Sequence, residues 1–380
     1  MKISFDAQLL IKGNKTGIGW CAENILMKLP HIEGVKYQLN CFTLGYNTEQ
    51  LKDIEKYQLL GYLLKKCTWF HDKIYKVLSA LGHIPYSFLF GNDSDITVFF
   101  NYVIPPGVKG KKIVFIYDMV YKAYPETVRG RTKNILNISL KKSCDRADHI
   151  ITISEFSKRE IIKYLDIPES KITIMPCGVD LSTYHPHYSE QEIKKVNLQY
   201  KISGDYLLYL GTLEPRKNIE RLVDAYSQLK DEMPNIPKLV LAGGKGWLYN
   251  NIFEKVKSLQ IGEDVVFTGY VKAEDSPILI KGARAFLFPS IYEGFGMPPL
   301  EAMACGTPVL VSNVASLPEV VGDAGIQVDP FSIEGIKSGL KQIIMDLNLR
   351  KELSRKGLER VKTYTWDKSV EVVHKVLEEV

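Results

Sequence analysis

The sequence predicts an α/β protein of two doubly wound parallel sheets, and three observations carry that expectation. The chain has 380 residues, more than a single hydrophobic core usually organises. Short β-rich runs alternate with helix-period segments from one end to the other. Most of the runs are near-continuously apolar, as a strand covered by helices on both faces must be.

In order along the first half, Lys2–Asp6, Gln38–Thr43, Ile96–Asn101, Lys112–Asp118, His149–Ser154 and Lys171–Met175 are expected as strands. The second half repeats the rhythm with Tyr206–Gly211, Lys238–Ala242, Val265–Gly269, Ala285–Pro289, Pro308–Ser312 and Gly325–Val328. Between the halves, Leu181–Asp205 is polar, carries two histidines and a proline, and lacks a strand pattern, which places a domain junction there. The expected division is 1–185, 186–362 and a C-terminal helix, 363–380, that crosses back to the first domain. Ser332–Leu347, Arg350–Thr363 and Thr365–Glu379 carry the last helical patterns.

Composition narrows the class. With 45% hydrophobic and 24% charged residues, the chain has enough apolar side chain to fold, which excludes disordered, collagenous and disulfide-scaffold proteins. No apolar stretch reaches the roughly 20 residues of a bilayer-spanning helix. Met1–Ala7 runs straight into a strand pattern, so the expectation is a chain not exported through a signal peptide and working in the cytoplasm. Six scattered cysteines without a C-x-x-C pair suit reduced thiols rather than zinc or a disulfide framework. Residues 1–180 carry 25 Lys and Arg against 18 Asp and Glu, while 181–380 carry 24 against 26, so the basic excess lies in the first half. Gly61–Gly82 interleaves Leu63, Leu64, Trp69, Phe70, Ile74 and Leu78 with Lys65, Lys66, Lys73 and Lys76. That spacing predicts a basic amphipathic helix, either an outer helix on the first sheet or a peripheral membrane contact.

In doubly wound sheets, ligands bind beyond the carboxyl ends of the strands, beside helix N-termini. After Ala285–Pro289 comes a glycine loop and a short helix framed by two carboxylates, Glu293 and Glu301, eight positions apart. Gly294 and Gly296 permit close approach to a ligand, and Pro298 and Pro299 suit a first helical turn. Glu301 sits among Leu300, Ala302, Met303 and Ala304, where a carboxylate wants hydrogen-bond donors such as sugar hydroxyls; a cap or surface carboxylate is the alternative. Arg216 and Lys217 follow the strand ending at Gly211 and precede a helix, where bare cations oppose the helix dipole and an anion would relieve them. Asp93-Ser94-Asp95 precedes its strand and is a turn, not a metal site. Neither a G-x-G-x-x-G fingerprint nor a Walker A loop is present.

The segment EGFGMPPLEAMACGTPVL, starting at Glu293, resembles the signature of the family 4 retaining glycosyltransferases of GT-B fold. LLYLGTLEPRKNIERLVDAY, KLVLAGGKGW, VVFTGYV, AFLFPS and LPEVVGDAG are similar to that family's pattern in order and spacing. So are Thr16-Gly17-Ile18-Gly19, YPETVRGR, ADHIITISEFSKREI and MPCGVD in the first half, which extends the resemblance from residue 3 to about residue 375. It implies two Rossmann-like domains facing across a cleft and a nucleotide-diphosphate sugar as donor, with no cofactor and no metal. It further implies transfer of a hexosyl unit, mannose or rhamnose, to a glycan acceptor, lipid-linked, in bacterial surface-polysaccharide assembly, and no nucleic-acid partner.

By resemblance, Arg216 and Lys217 neutralise the donor diphosphate and Glu293 holds sugar hydroxyls. The backbone from Gly294 through Phe295 and Gly296 to Met297 faces sugar and phosphate, and Glu301 accepts from the ribose. Gly211 opens the diphosphate loop, and the backbone at Tyr270 and Val271 meets the nucleobase. From the first domain, Gly17 and Gly19 close over the β-phosphate. One departure stands out: many members have a histidine where this chain has Tyr117, before Asp118. Asp118 is therefore the expected acceptor or sugar contact on that side, a strand-end cap being its other reading. A non-catalytic sugar-nucleotide-binding subunit on the same fold would be expected to have lost Lys217 or a glutamate, and all are present. A pyridoxal-phosphate phosphorylase would need a longer chain.

Overall fold

Parallel pairing organises each half of the chain, in a computed structural model that describes residues 1–11, 16–80 and 82–380. The first seven strands are β1 (Lys2–Asp6), β2 (Lys36–Phe42), β3 (Leu63–Cys67), β4 (Ile96–Phe99), β5 (Lys111–Phe115), β6 (His149–Thr152) and β7 (Ile172–Ile174). They form one sheet in the order β3-β2-β1-β4-β5-β6-β7, every neighbouring pair parallel. The next six are β8 (Tyr206–Leu210), β9 (Lys238–Ala242), β10 (Val265–Gly269), β11 (Ala285–Phe288), β12 (Val309–Ser312) and β13 (Gly325–Val328). Their order is β10-β9-β8-β11-β12-β13, again all parallel.

Why these runs are strands is visible in their burial. Phe286, Leu287 and Phe288 on β11 are fully buried, as are Leu207, Leu208 and Tyr209 on β8. Both pleat faces are therefore covered, and each such side chain contributes about 1.5–3 kcal/mol. The twelve runs expected as strands all form them, with ends shifted by up to a few residues.

The thirteenth strand corrects the expectation for Gly61–Gly82. Leu63–Cys67 is the edge strand β3, paired in register with Gln38–Phe42, and only Asp72–Ala80 is helical. Leucine and lysine favour helix locally, but pairing with β2 satisfies five consecutive residues and overrides that preference. Leu81, within the same expected helix, lies outside the described residues.

Contacts divide the chain into one unit of Met1–Gly178 with Trp366–Val380, and a second of Val179–Thr365. The junctions thus fall earlier than the expected 185/186 and later than 362/363. The polar stretch expected as junction is part of the second unit and contains the helix Glu190–Gln199, which opens with a capping box between Ser189 and Glu192. All six cysteines are buried free thiols.

Both sheets reverse their winding once. In the second unit the order turns over between β8 and β11, and in the first between β1 and β4. In such sheets the loops leaving those strands diverge and open a crevice at the carboxyl edge.

Candidate active site

The loops that leave β8 and β11, at the switch point of the second sheet, carry a tight cluster of ionised side chains. After β8 the chain passes Gly211 and makes a tight turn at Pro215–Lys217 before the helix Ile219–Glu232. After β11 it forms the Ser290–Gly296 loop and enters the helix Met297–Ala304.

Arg216 and Lys217 converge on Glu293. Lys217 Nζ donates to Glu293 Oε1 at 2.5 Å, and Arg216 Nη1 donates to Glu293 Oε2 at 2.8 Å. Arg216 also donates to the Tyr292 carbonyl and to Glu214 at 2.9 Å. Lys217 lies over the Phe288 ring, 4.8 Å from its centre. Burial alone would push the Glu293 carboxyl up, but Arg216 and then Lys217 outweigh it and hold the group down at about 2. Burial and the adjacent Arg216 pull Lys217 below the usual ammonium range, while Glu293 holds it up. The result is a preorganised pair of cations, Lys217 buried and Arg216 half-buried, with an internal counter-anion.

Two side chains without a distinctive sequence signature, Asn218 and Ser316, hold this cluster in place. Asn218 is left-handed, with φ 61°, and buried; its carboxamide donates to the Pro289 and Pro330 carbonyls at 3.0 and 2.7 Å. The Arg216 carbonyl in turn accepts from the Ile291 amide at 3.0 Å. Ser316, after β12, donates its hydroxyl to the carbonyls of Glu293 and Phe295 at 2.9 and 2.6 Å. The only local sign of such roles was an asparagine at a strand–helix turn and a serine after a strand, which ordinarily read as caps.

The loops after β8 and β9 meet backbone to backbone. A Cβ on Gly243 would stand 1.9 Å from the Gly211 carbonyl oxygen, so that position admits only glycine. Gly296 has φ 124°, and a Cβ there would meet Leu317 at 2.7 Å. The amides that follow it open a helix whose positive end faces the same carboxyl edge as Lys217. Phe295 is buried against Tyr364, so its contribution to a site is confined to its backbone.

Glu301 stands one turn into that helix. It is partly exposed, shares a hydrogen bond with the Tyr184 hydroxyl, and is pushed up to about 8 by burial, which the tyrosine only partly offsets. Among the described residues no cation neutralises it, in contrast to Glu293. Tyr270 is exposed and Val271 buried, at the turn that follows the edge strand β10 through Gly269.

Gly17, Gly19 and Asp118 belong to the other unit. Gly17 opens the helix Gly17–Lys28 and has nothing within 4 Å of where a Cβ would be, whereas Gly19 is buried. Asp118 follows β5 and accepts from the Val120 amide at 3.1 Å, the capping geometry that was its alternative reading, and it keeps partial exposure. Tyr117 is core, its ring against Phe115 and Tyr102. Asp93, Ser94 and Asp95 lie before β4, where they tie to Lys2 and Ser4.

Two family descriptions match the chain: "Glycosyl transferases group 1" over residues 190–360 and "Glycosyltransferase Family 4" over 41–183. The O-antigen chain mannosyltransferase B of Escherichia coli is 36% identical over 269 residues, 70% of each chain. The serotype-specific mannosyltransferase WbdA of the same organism is 33% identical over 58% of this chain, a stretch that is 28% of its own length. Among solved structures, sucrose-phosphate synthase from Thermosynechococcus elongatus superposes with a TM-score of 0.75 at 18% identity, covering 100% of this chain and 98% of that one. Anabaena HepE in complex with UDP-glucose gives 0.74 at 16%, covering both chains fully. These likenesses are of fold, the two-domain α/β architecture of GT-B enzymes.

Proposed function

We infer that this chain, which belongs to the family 4 glycosyltransferases, moves a hexosyl unit from a nucleotide-diphosphate sugar to a glycan acceptor with retention of anomeric configuration and without a metal ion. Glycosyl transfer follows from the family. Retention is what the family resemblance implies, and metal independence rests on one observation, the convergence of Arg216 and Lys217 at the switch point of the second sheet. Two fixed cations there can take up the charge that grows on a departing diphosphate, the part a divalent cation plays elsewhere.

The proposed division of labour is the one the family resemblance implies. Arg216 and Lys217 receive the diphosphate, assisted by amides at the head of the Met297–Ala304 helix. Glu293, once its cations turn to phosphate, is free to accept from sugar hydroxyls. Glu301 accepts from the ribose, the Tyr270–Val271 backbone meets the base, and Gly17 and Gly19 approach the phosphate. Asp118 serves the acceptor side. The departing diphosphate is itself the base for the acceptor hydroxyl, so no carboxylate nucleophile is required. The mannosyltransferase relatives make mannose the first sugar to test and surface polysaccharide the destination. A lipid-linked acceptor would place the enzyme peripherally at the inner face of the membrane; among the described residues no helix is long and apolar enough to cross one.

A thermal-shift panel of nucleoside diphosphates and their sugars tests this reading. A ligand at 100 times its dissociation constant raises stability by about 2.7 kcal/mol, so one base and one sugar should stand out. Absence of any nucleotide response would set the reading aside.

A further inference from the structure

The segment that fails to form a long amphipathic helix builds something else. Trp69 lies between β3 and the helix Asp72–Ala80, and it is 58% exposed. Its ring is wedged edge-to-face between Phe70, at 5.6 Å, and Phe88, at 5.9 Å. Phe88 stands on the short helix Tyr86–Phe90 and is 70% exposed. Phe70 packs on the hydrophobic core of this unit, so it fixes the pair from beneath. The helix that starts three residues after Trp69 turns Ile74 and Val77 to solvent while burying Asp72 and Tyr75. The helix covers the core through Tyr75 and leaves two further apolar side chains, Ile74 and Val77, outside, where a stripe spent wholly on the core would have buried them.

The surroundings are basic. Lys73 and Lys76 alternate with Ile74 and Val77 on the exposed face, and Lys76 reaches back to Asp72 at 3.4 Å. The helix packs on Gly130–Arg146, which carries Arg131, Lys133, Lys141, Lys142 and Arg146 against a single acid, Asp145, and exposes Ile138. Exposed aromatic and aliphatic side chains interleaved with lysine need a partner that is apolar inside and anionic at its surface. A second copy of the same face would set lysine against lysine.

We propose that Trp69, Phe88, Ile74 and Val77 form a membrane-docking surface that inserts shallowly into an anionic lipid leaflet, with Lys73 and its basic neighbours on the headgroups. The rings enter the interfacial layer, where an indole is comfortable with one edge wet. The surface is made by two short helices and a loop, and among the described residues no helix is long and apolar enough to cross a bilayer. A lipid-linked acceptor would be presented at the same leaflet.

Sedimentation with phosphatidylcholine vesicles, with and without phosphatidylglycerol, tests it. The chain should bind the phosphatidylglycerol vesicles, and the Trp69→Ser/Phe88→Ser double variant should lose at least about tenfold in partitioning. Ile74→Ser/Val77→Ser should lose partitioning as well, and Lys73→Gln should weaken binding most at low salt. Each of these side chains is solvent-exposed, so nucleoside diphosphate affinity should be unchanged in every variant, which separates failure of this surface from failure of the donor site. Absence of vesicle binding, or undiminished binding by both double variants, would overturn the proposal. So would concentration-dependent dimerisation that the Trp69→Ser/Phe88→Ser variant abolishes, since the occupant would then be a second copy.

Discussion

Lys217 donates to one oxygen of Glu293, 2.5 Å away, and Arg216 donates to the other oxygen of the same carboxylate at 2.8 Å. A diphosphate must therefore compete with an anion the protein already supplies. Glu293→Gln removes the competitor while keeping its shape. Free nucleoside diphosphate should then bind more tightly, by about 1 kcal/mol or roughly fivefold, with a steeper salt dependence. Sugar transfer should fall in the same variant, because the sugar loses its carboxylate. Calorimetry with the bare diphosphate beside a transfer assay checks both; weaker nucleotide binding would mean that Glu293 supports the anion site rather than guarding it.

The second carboxylate predicts a pH dependence. Glu301 lies at about 8 in the folded chain against 4.5 for an ordinary glutamate, because of burial. Between those values the unfolded chain has released the proton and the folded one still holds it, so stability falls as pH rises from about 4.5 to 8 and then levels. Glu301→Gln should flatten that fall. Accepting from ribose hydroxyls favours the ionised form, so nucleotide affinity should rise with pH up to about 8 and binding near pH 7 should release a proton. Calorimetry in buffers of different ionisation enthalpy measures that proton, and Glu301→Gln should abolish it while raising the donor KM more than it lowers kcat.

Asn218 offers a test of how the cationic turn is held. Its amide donates to two buried carbonyls, and its left-handed backbone suits asparagine. Asn218→Asp keeps the shape but points an anionic acceptor at both carbonyls. It should cost about 2 kcal/mol or more in denaturant unfolding, and lower turnover with it. An unchanged stability would show that the turn is fixed by other contacts.

Asp118 accepts from Val120, and an asparagine oxygen can do the same. Asp118→Asn should leave nucleotide affinity unchanged while reducing transfer to the acceptor more than hydrolysis of the donor by water, which needs less positioning. Equal loss of both reactions, or a large loss of nucleotide affinity, would assign Asp118 to the fold or to the donor.

How much of this could be read from residues alone depends on where the deciding forces act. The β8 and β11 runs were legible because burial on both faces leaves uninterrupted apolar sequence, and their order in the chain already placed Arg216, Lys217 and Glu293 at strand ends. β3 was not legible: Leu63-Leu64-Lys65-Lys66 becomes a strand through its pairing with β2, a long-range contact that composition does not signal. Glu293 was read as a sugar contact, and its pairing with both cations emerges only when the loops after β8 and β11 are set side by side. Asn218 and Ser316 escaped notice because they act on backbone carbonyls distant in sequence. Trp69 and Phe88 were hidden for a related reason, since nothing local says that an aromatic side chain will be left outside.

The decisive experiment is transfer itself, measured in the presence of EDTA with nucleotide-diphosphate hexoses, those of mannose first, and the anomeric configuration of the product read by NMR. The product should keep the donor's configuration, and Lys217→Ala and Arg216→Ala should each lower turnover by roughly 10²–10³, since charge fixed at the leaving group acts chiefly in the transition state. An inverted product, activity that EDTA abolishes and Mn²⁺ restores, or near wild-type turnover in both variants would contradict this mechanism.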